Sequence, residues 1–139
     1  MAASGTELAI LPVGATEQHG SYLPLATDSL EAEAVARGVA ERLDAFLLPV
    51  LPFSNSEAHA GFRGSVSLSP STLLTVVKEL ALDLIGQGFR YVVLLNMHGG
   101  NLVLGAAGGG VKTPPPPRPA RGGGAAPRAA GGGVDNFRK

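Results

Sequence analysis

The chain has no cysteine, which excludes a disulfide framework, a thiolate metal site and a thiol nucleophile together. That absence leaves the redox compartment open, with the reducing cytoplasm as the default. No apolar run approaches the roughly 20 residues that span a bilayer, and the N-terminus lacks the basic start and apolar stretch of a secretory signal. A cytoplasmic protein with no membrane association is the expectation. Net charge is also missing, at +0 overall, but residues 1–101 carry five Lys and Arg against ten Asp and Glu, and residues 102–139 carry six against one. A basic tail suggests an anionic polymer. Neither aromatic interleaving nor a docking motif accompanies it, so no nucleic-acid partner is expected.

At 139 residues the chain is long enough for one domain with a real core and too short for two of ordinary size. Its 20 Gly and 11 Pro are unevenly spread, with ten Gly and six Pro falling in residues 102–139. A tail of that composition cannot bury enough apolar surface to offset the entropy of ordering. We therefore divide the chain into an α/β domain over 1–101 and a Gly/Pro/Ala/Arg-rich, disordered tail over 102–139. The tail reads either as a flexible linker or as an out-of-frame translation of GC-rich DNA. The second is favoured, because no amphipathic pattern or apolar strand interrupts it.

Within the first 101 residues, short apolar runs alternate with helical patterns. Leu8 to Val13, Ala45 to Val50 and Tyr91 to Leu95 read as buried strands. Ser29 to about Leu43 reads as a helix whose apolar positions are Leu30, Ala34, Val35, Val39 and Leu43. Ser69 and Pro70 start a second helix as N-cap and first residue, Leu73, Leu74, Val77, Leu80, Ala81, Leu84 and Ile85 form its buried stripe, and Gly86 or Gly88 stops it. Strand, helix, strand, helix, strand implies right-handed crossovers and a parallel sheet. A further helix should follow the last strand, but Leu102-Val103-Leu104 runs at once into glycine.

The chemistry gathers where those strands end. Glu17, His19 and Asp28 lie in the first loop, His59 in the long Ser- and Gly-rich connection from Leu51 to Ser67, and His98 in the turn after the last strand. Carboxylates and imidazoles are the ligands that borderline divalent ions prefer in a chain without thiols. Glu17 and His19 can turn toward one ion or two neighbouring ones if the backbone between them is looped, which Gly20 and Pro24 permit. Asp28 can bridge two ions with its two oxygens, or simply cap the following helix, a role that Thr27 could also fill. His59 reads either as an ordinary loop histidine or as a catalytic group.

Four stretches taken together are more specific than any one of them. Leu11-Pro-Val-Gly-Ala-Thr-Glu17-Gln-His19-Gly, Leu23-Pro-Leu-Ala-Thr-Asp28, Phe62-Arg-Gly-Ser-Val-Ser-Leu-Ser-Pro70 and Asn96-Met-His98-Gly-Gly-Asn101 closely resemble the creatininase (creatinine amidohydrolase) family. The resemblance runs from about Leu8 to Leu102. It implies a three-layer α/β/α fold with a mainly parallel sheet, here incomplete. It also implies two divalent metal ions, zinc or manganese with iron as a further option, and hydrolysis of a cyclic or linear amide C–N bond by a metal-bound hydroxide. By position, Glu17 and His98 would hold one metal and His19 the other, with Asp28 bridging. No separate catalytic residue is implied, and His59 remains the candidate. A small-molecule amide substrate and a homo-oligomer are expected.

Two departures shape the expectation further. Creatininase proper has a glutamate two residues after the metal-binding histidine, where this chain has Gly100. A formamide or a modified peptide is thus a better candidate substrate than creatinine. Family members also continue for roughly another hundred residues. The rival expectation is accordingly a truncated, inactive fragment that at most binds metal or a partner.

Overall fold

Leu8–Val13, apolar at every position, becomes the central strand, β1. The computed structural model describes residues 6–107. In it β1 is flanked by β2 (Phe46–Leu47) and β3 (Tyr91–Asn96), in the order β2-β1-β3, and both pairings are parallel. The β1–β3 register runs unbroken from Leu8↔Tyr91 to Val13↔Asn96. Among the described residues three helices cover the sheet: α1 (Thr27–Leu43), α2 (Pro70–Gly86) and α3 (Leu102–Ala107). The fold is thus α/β. Ile10 packs on Ala36 and Ala40 of α1, while Leu11 and Val13 pack on Leu73 and Val77 of α2 and Leu104 of α3. Residues of this one strand are therefore buried on both faces of the sheet, as its uniformly apolar sequence requires.

The second helix forms as its sequence indicates. Ser69 Oγ accepts the Thr72 N–H at 3.2 Å with Pro70 at the first position, and Gly88, at φ +103°, ends the turn that follows. Its buried stripe is narrower than expected, comprising Leu73, Val77 and Leu84, and Leu80 is exposed.

Three expectations need correction. Of its expected stripe the first helix packs only Val39 against the core, and that partly: Leu30, Val35 and Leu43 are 55%, 45% and 58% exposed. It turns Ser29, Ala32, Ala36 and Ala40 to the sheet instead. The reason is close approach, since a Cβ on Gly14 would lie 2.6 Å from the Ser29 nitrogen, and only small side chains fit so near a backbone. The strand expected over Ala45 to Val50 shrinks to Phe46–Leu47. Pro12 turns its carbonyl to this side, accepting from Leu51 N at 2.9 Å, but has no N–H to offer the ladder. Pairing resumes only as the bridge Val13↔Leu51. Finally, the helix that should follow β3 does begin, over Leu102–Ala107. The rest of the tail expectation lies outside the described residues. Among the described residues no helix is long and apolar enough to cross a membrane.

Candidate metal centre

In a parallel sheet the loops that leave the strands' C-terminal ends meet along one edge. Here those loops are also tied to each other. Thr16 bridges Val66, the Gln18 N–H donates to Ser65 Oγ at 2.9 Å, and Thr16 Oγ1 donates to the Pro52 carbonyl at 2.9 Å. The Glu17 N–H is taken by the Leu25 carbonyl at 2.9 Å. The backbone of Glu17 is therefore held from two sides before its side chain is placed.

Asp28 does not cap α1, and neither does Thr27. The N-cap position is Ala26 with no side-chain hydrogen bond, and Thr27 Oγ1 donates backward to the Pro24 carbonyl at 2.7 Å. Asp28 sits in the first turn, where the helix dipole favours a carboxylate, with its side chain left for the site. It is buried, as are Glu17 and His98.

Two histidines face this aspartate from opposite sides. His19 Nε2 lies 3.0 Å from Asp28 Oδ1, and His98 Nδ1 lies 2.8 Å from Asp28 Oδ2. The far nitrogen of each ring is bound to a backbone carbonyl, His19 Nδ1 to Glu17 O at 3.1 Å and His98 Nε2 to Asn55 O at 2.8 Å. A carbonyl only accepts, so each far nitrogen carries the ring's N–H and each near nitrogen presents a lone pair. In the neutral rings, lone pairs thus face both oxygens of one carboxylate. Asp28 Oδ2 and Glu17 Oε2 are buried without a hydrogen-bond partner, the first despite the short distance to His98.

Such a cluster needs positive charge. A proton supplies it in part: the Glu17 carbonyl on Nδ1, joined by the Asp28 and Glu17 carboxylates and opposed by burial, raises the His19 pKa above its ordinary value. A divalent cation suits the set better, because carboxylate oxygens and imidazole nitrogens are its donors and backbone-bound N–H groups are the usual support of a ligating histidine. Glu17, Asp28 and His98 each offer a ligand atom within 4.8 Å of the others, and His19 adjoins them through Asp28.

His59 lies beside this cluster on a 3-10 turn, Glu57–His59, with Nε2 3.4 Å from Glu17 Oε1 and Nδ1 2.8 Å from Gln18 Nε2. It lines, with Glu17, Asp28, His98 and Gly100, a cavity of about 290 Å³. Asn55, Asn96 and Asn101 are the supporting residues that the sequence reading passed over. Asn101, fully buried, accepts the Asn55 N–H at 3.2 Å and donates to Asn96 Oδ1 at 2.9 Å, and Asn96 donates to the His98 carbonyl at 2.8 Å. Both the ring and the backbone of His98 are therefore braced by one asparagine. Its only signal in sequence is its place in the His-Gly-Gly-Asn run.

The creatininase family model, described as creatinine amidohydrolase, matches residues 1–112. Mycofactocin precursor peptide peptidase of Mycolicibacterium smegmatis is 38% identical over 101 residues, which is 68% of this chain and 40% of that protein. Creatinine amidohydrolase of Pseudomonas putida is 38% identical over 104 residues, covering 71% of this chain and 40% of its own length. The chain thus spans about 40% of the length of these curated relatives. A solved mutant creatininase of Zn-Zn type and a creatininase of Mn type each match with a TM-score of 0.67 at 34% identity, covering 73% and 74% of this chain and 42% of each of theirs.

Proposed function

The chain belongs to the creatininase family, and from that premise we propose that it carries the metal-binding part of a hydrolase acting on a cyclic or linear amide C–N bond. The observation that carries this reading is the pair of imidazole nitrogens, of His19 and His98, at 3.0 Å and 2.8 Å from the two oxygens of Asp28. Glu17 and His98 would hold one divalent ion and His19 the other, with Asp28 shared between them. Two such ions supply an activated water near neutral pH and a Lewis acid for the carbonyl oxygen.

The chain's own residues set the conditions for that chemistry. Glu17 and Asp28 contribute two negative charges and the imidazoles none, so the occupied centre keeps a net positive charge for an electron-rich carbonyl. The His19 and His98 rings cannot rotate without giving up their bonds to the Glu17 and Asn55 carbonyls, which fixes both ligand nitrogens in advance. A cavity of about 290 Å³ admits a small amide or the end of a peptide. Gly100 adds no carboxylate to it, which supports a formamide or modified peptide over creatinine. Zinc or manganese as the ions, and a cytoplasmic homo-oligomer, belong to the same proposal.

Elemental analysis of the purified full chain, reconstituted with zinc or manganese, should give close to two ions per chain, and Asp28→Ala should bind fewer than one. Creatinine, an N-formyl amine and a peptide amide form the substrate panel. A chain that stays empty after reconstitution sinks the metal reading. One that fills but turns over none of the panel is the inactive fragment instead.

A further inference from the structure

Gln18 stands between two ligand candidates and has no part in the metal centre, yet both ends of its carboxamide are hydrogen-bonded. Its Oε1 accepts the N–H of Gly20 at 3.0 Å, which Gly20 presents from a φ of +75°, a conformation that glycine adopts at no steric cost. This bond fixes which way the carboxamide points, so the group facing His59 Nδ1 at 2.8 Å is the NH₂. A carboxamide nitrogen donates and cannot accept. His59 Nδ1 is therefore the acceptor, and the proton of the neutral ring sits on Nε2.

That tautomer sets His59 apart from the other two histidines of the chain. His19 and His98 bind backbone carbonyls outward and present lone pairs to the centre. His59 is turned the opposite way, with its lone pair satisfied by Gln18 and its N–H on the side of Glu17, Nε2 lying 3.4 Å from Glu17 Oε1 among the residues that line the cavity. A cation rejects an N–H, whereas an oxygen carrying negative charge attracts it. We propose that Gln18 locks His59 as a fixed hydrogen-bond donor, and that this donor holds the carbonyl oxygen of the amide substrate as charge builds on it. When water adds to the carbonyl carbon, the C=O π pair moves onto that oxygen. The His59 N–H stabilises it by hydrogen bonding and transfers no proton.

The tautomer is independent of the hydrolase reading, while the donor's use in catalysis rests on it, and two measurements separate them. In the zinc-loaded full chain, long-range ¹H–¹⁵N correlation of the histidine rings should show His59 protonated at Nε2 and bare at Nδ1. Gln18→Glu leaves Gly20 its acceptor but faces Nδ1 with a carboxylate oxygen, so His59 should gain a proton at Nδ1. A parent His59 already protonated at Nδ1, or an unchanged ring in Gln18→Glu, overturns the lock. On whichever panel amide is hydrolysed, His59→Ala should lose about 100-fold in kcat with KM changed little. His59→Gln, which keeps a neutral N–H donor, should recover part of that loss. An unchanged kcat in His59→Ala, or no recovery with glutamine, overturns the donor role. If no amide is hydrolysed, the catalytic role falls with the hydrolase reading, and the ring spectra still decide the lock.

Discussion

Gly100 is the residue where one missing carbon decides the geometry of the site. A Cβ there would run into the Asn55 carbonyl and the His98 ring, the two groups whose hydrogen bond fixes the His98 tautomer. The glycine is required for space and not for backbone freedom, since its φ is not positive. Gly100→Ala should therefore push His98 off Asn55. We expect a loss of about 1 to 3 kcal/mol in a urea titration and zinc affinity weakened about tenfold or more by calorimetry. A variant that melts and binds like the parent would show that the loop has slack. The same crowding bears on specificity. The glutamate that creatininase proper has here cannot be built onto this loop without moving Asn55, so restoring that side chain alone should not yield a creatininase.

At the scale of elements, the site depends on how closely α1 approaches β1, because α1 carries Asp28. Gly14 and the Ser29-Ala32-Ala36-Ala40 face make that approach, and Ser29 Oγ seals it by donating to the Ala15 carbonyl at 2.8 Å. Gly14→Ala should force the helix outward, costing about 2 to 3 kcal/mol, and should weaken metal binding in parallel because Asp28 moves with its helix. Loss of stability with unchanged metal affinity would show that Asp28 adjusts independently. This contact also explains what the sequence hid. Helical periodicity correctly places α1, yet Leu30, Val35 and Leu43 outrank alanine in hydrophobicity and point the reading to the wrong face. Smallness, not apolarity, was the selecting property, and it becomes visible only against Gly14. Proline acted likewise in β2: the apolar run was legible, but Pro12 withdraws the hydrogen bond that would extend it. By contrast α2 announced its start through Ser69-Pro70, because capping is local chemistry. The four candidate ligands were legible as motif residues from the resemblance. Their supports, Asn55 and Asn101, act through contacts between residues 46 apart, and local patterns carry no such information.

For the molecule as a whole, the centre sets function against stability. Without a cation, two carboxylates are buried within ligand distance of each other, with Glu17 Oε2 and Asp28 Oδ2 unpaired. A buried polar group left unsatisfied costs about 1 to 3 kcal/mol, and more when charged. A metal bound by the folded chain and not by the unfolded one returns that cost through mass action, adding about 2.7 kcal/mol at a hundredfold excess over Kd. For a domain of this size that corresponds to a rise of about 10 to 20 °C in Tm. Zinc or manganese titrated into chelator-treated protein should raise the melting temperature by that amount and in proportion to the logarithm of its concentration. Asp28→Ala should abolish the rise. It should also leave the metal-free melt close to that of the metal-free parent, because what it removes, the contacts with His19 and His98 and a helix-dipole interaction of about 0.3 to 1 kcal/mol, is offset by relief of the buried charge. If Asp28→Ala instead melts far below the metal-free parent, the carboxylate is a structural member of the fold. The case for a site kept at the expense of stability then fails, even where metal still binds.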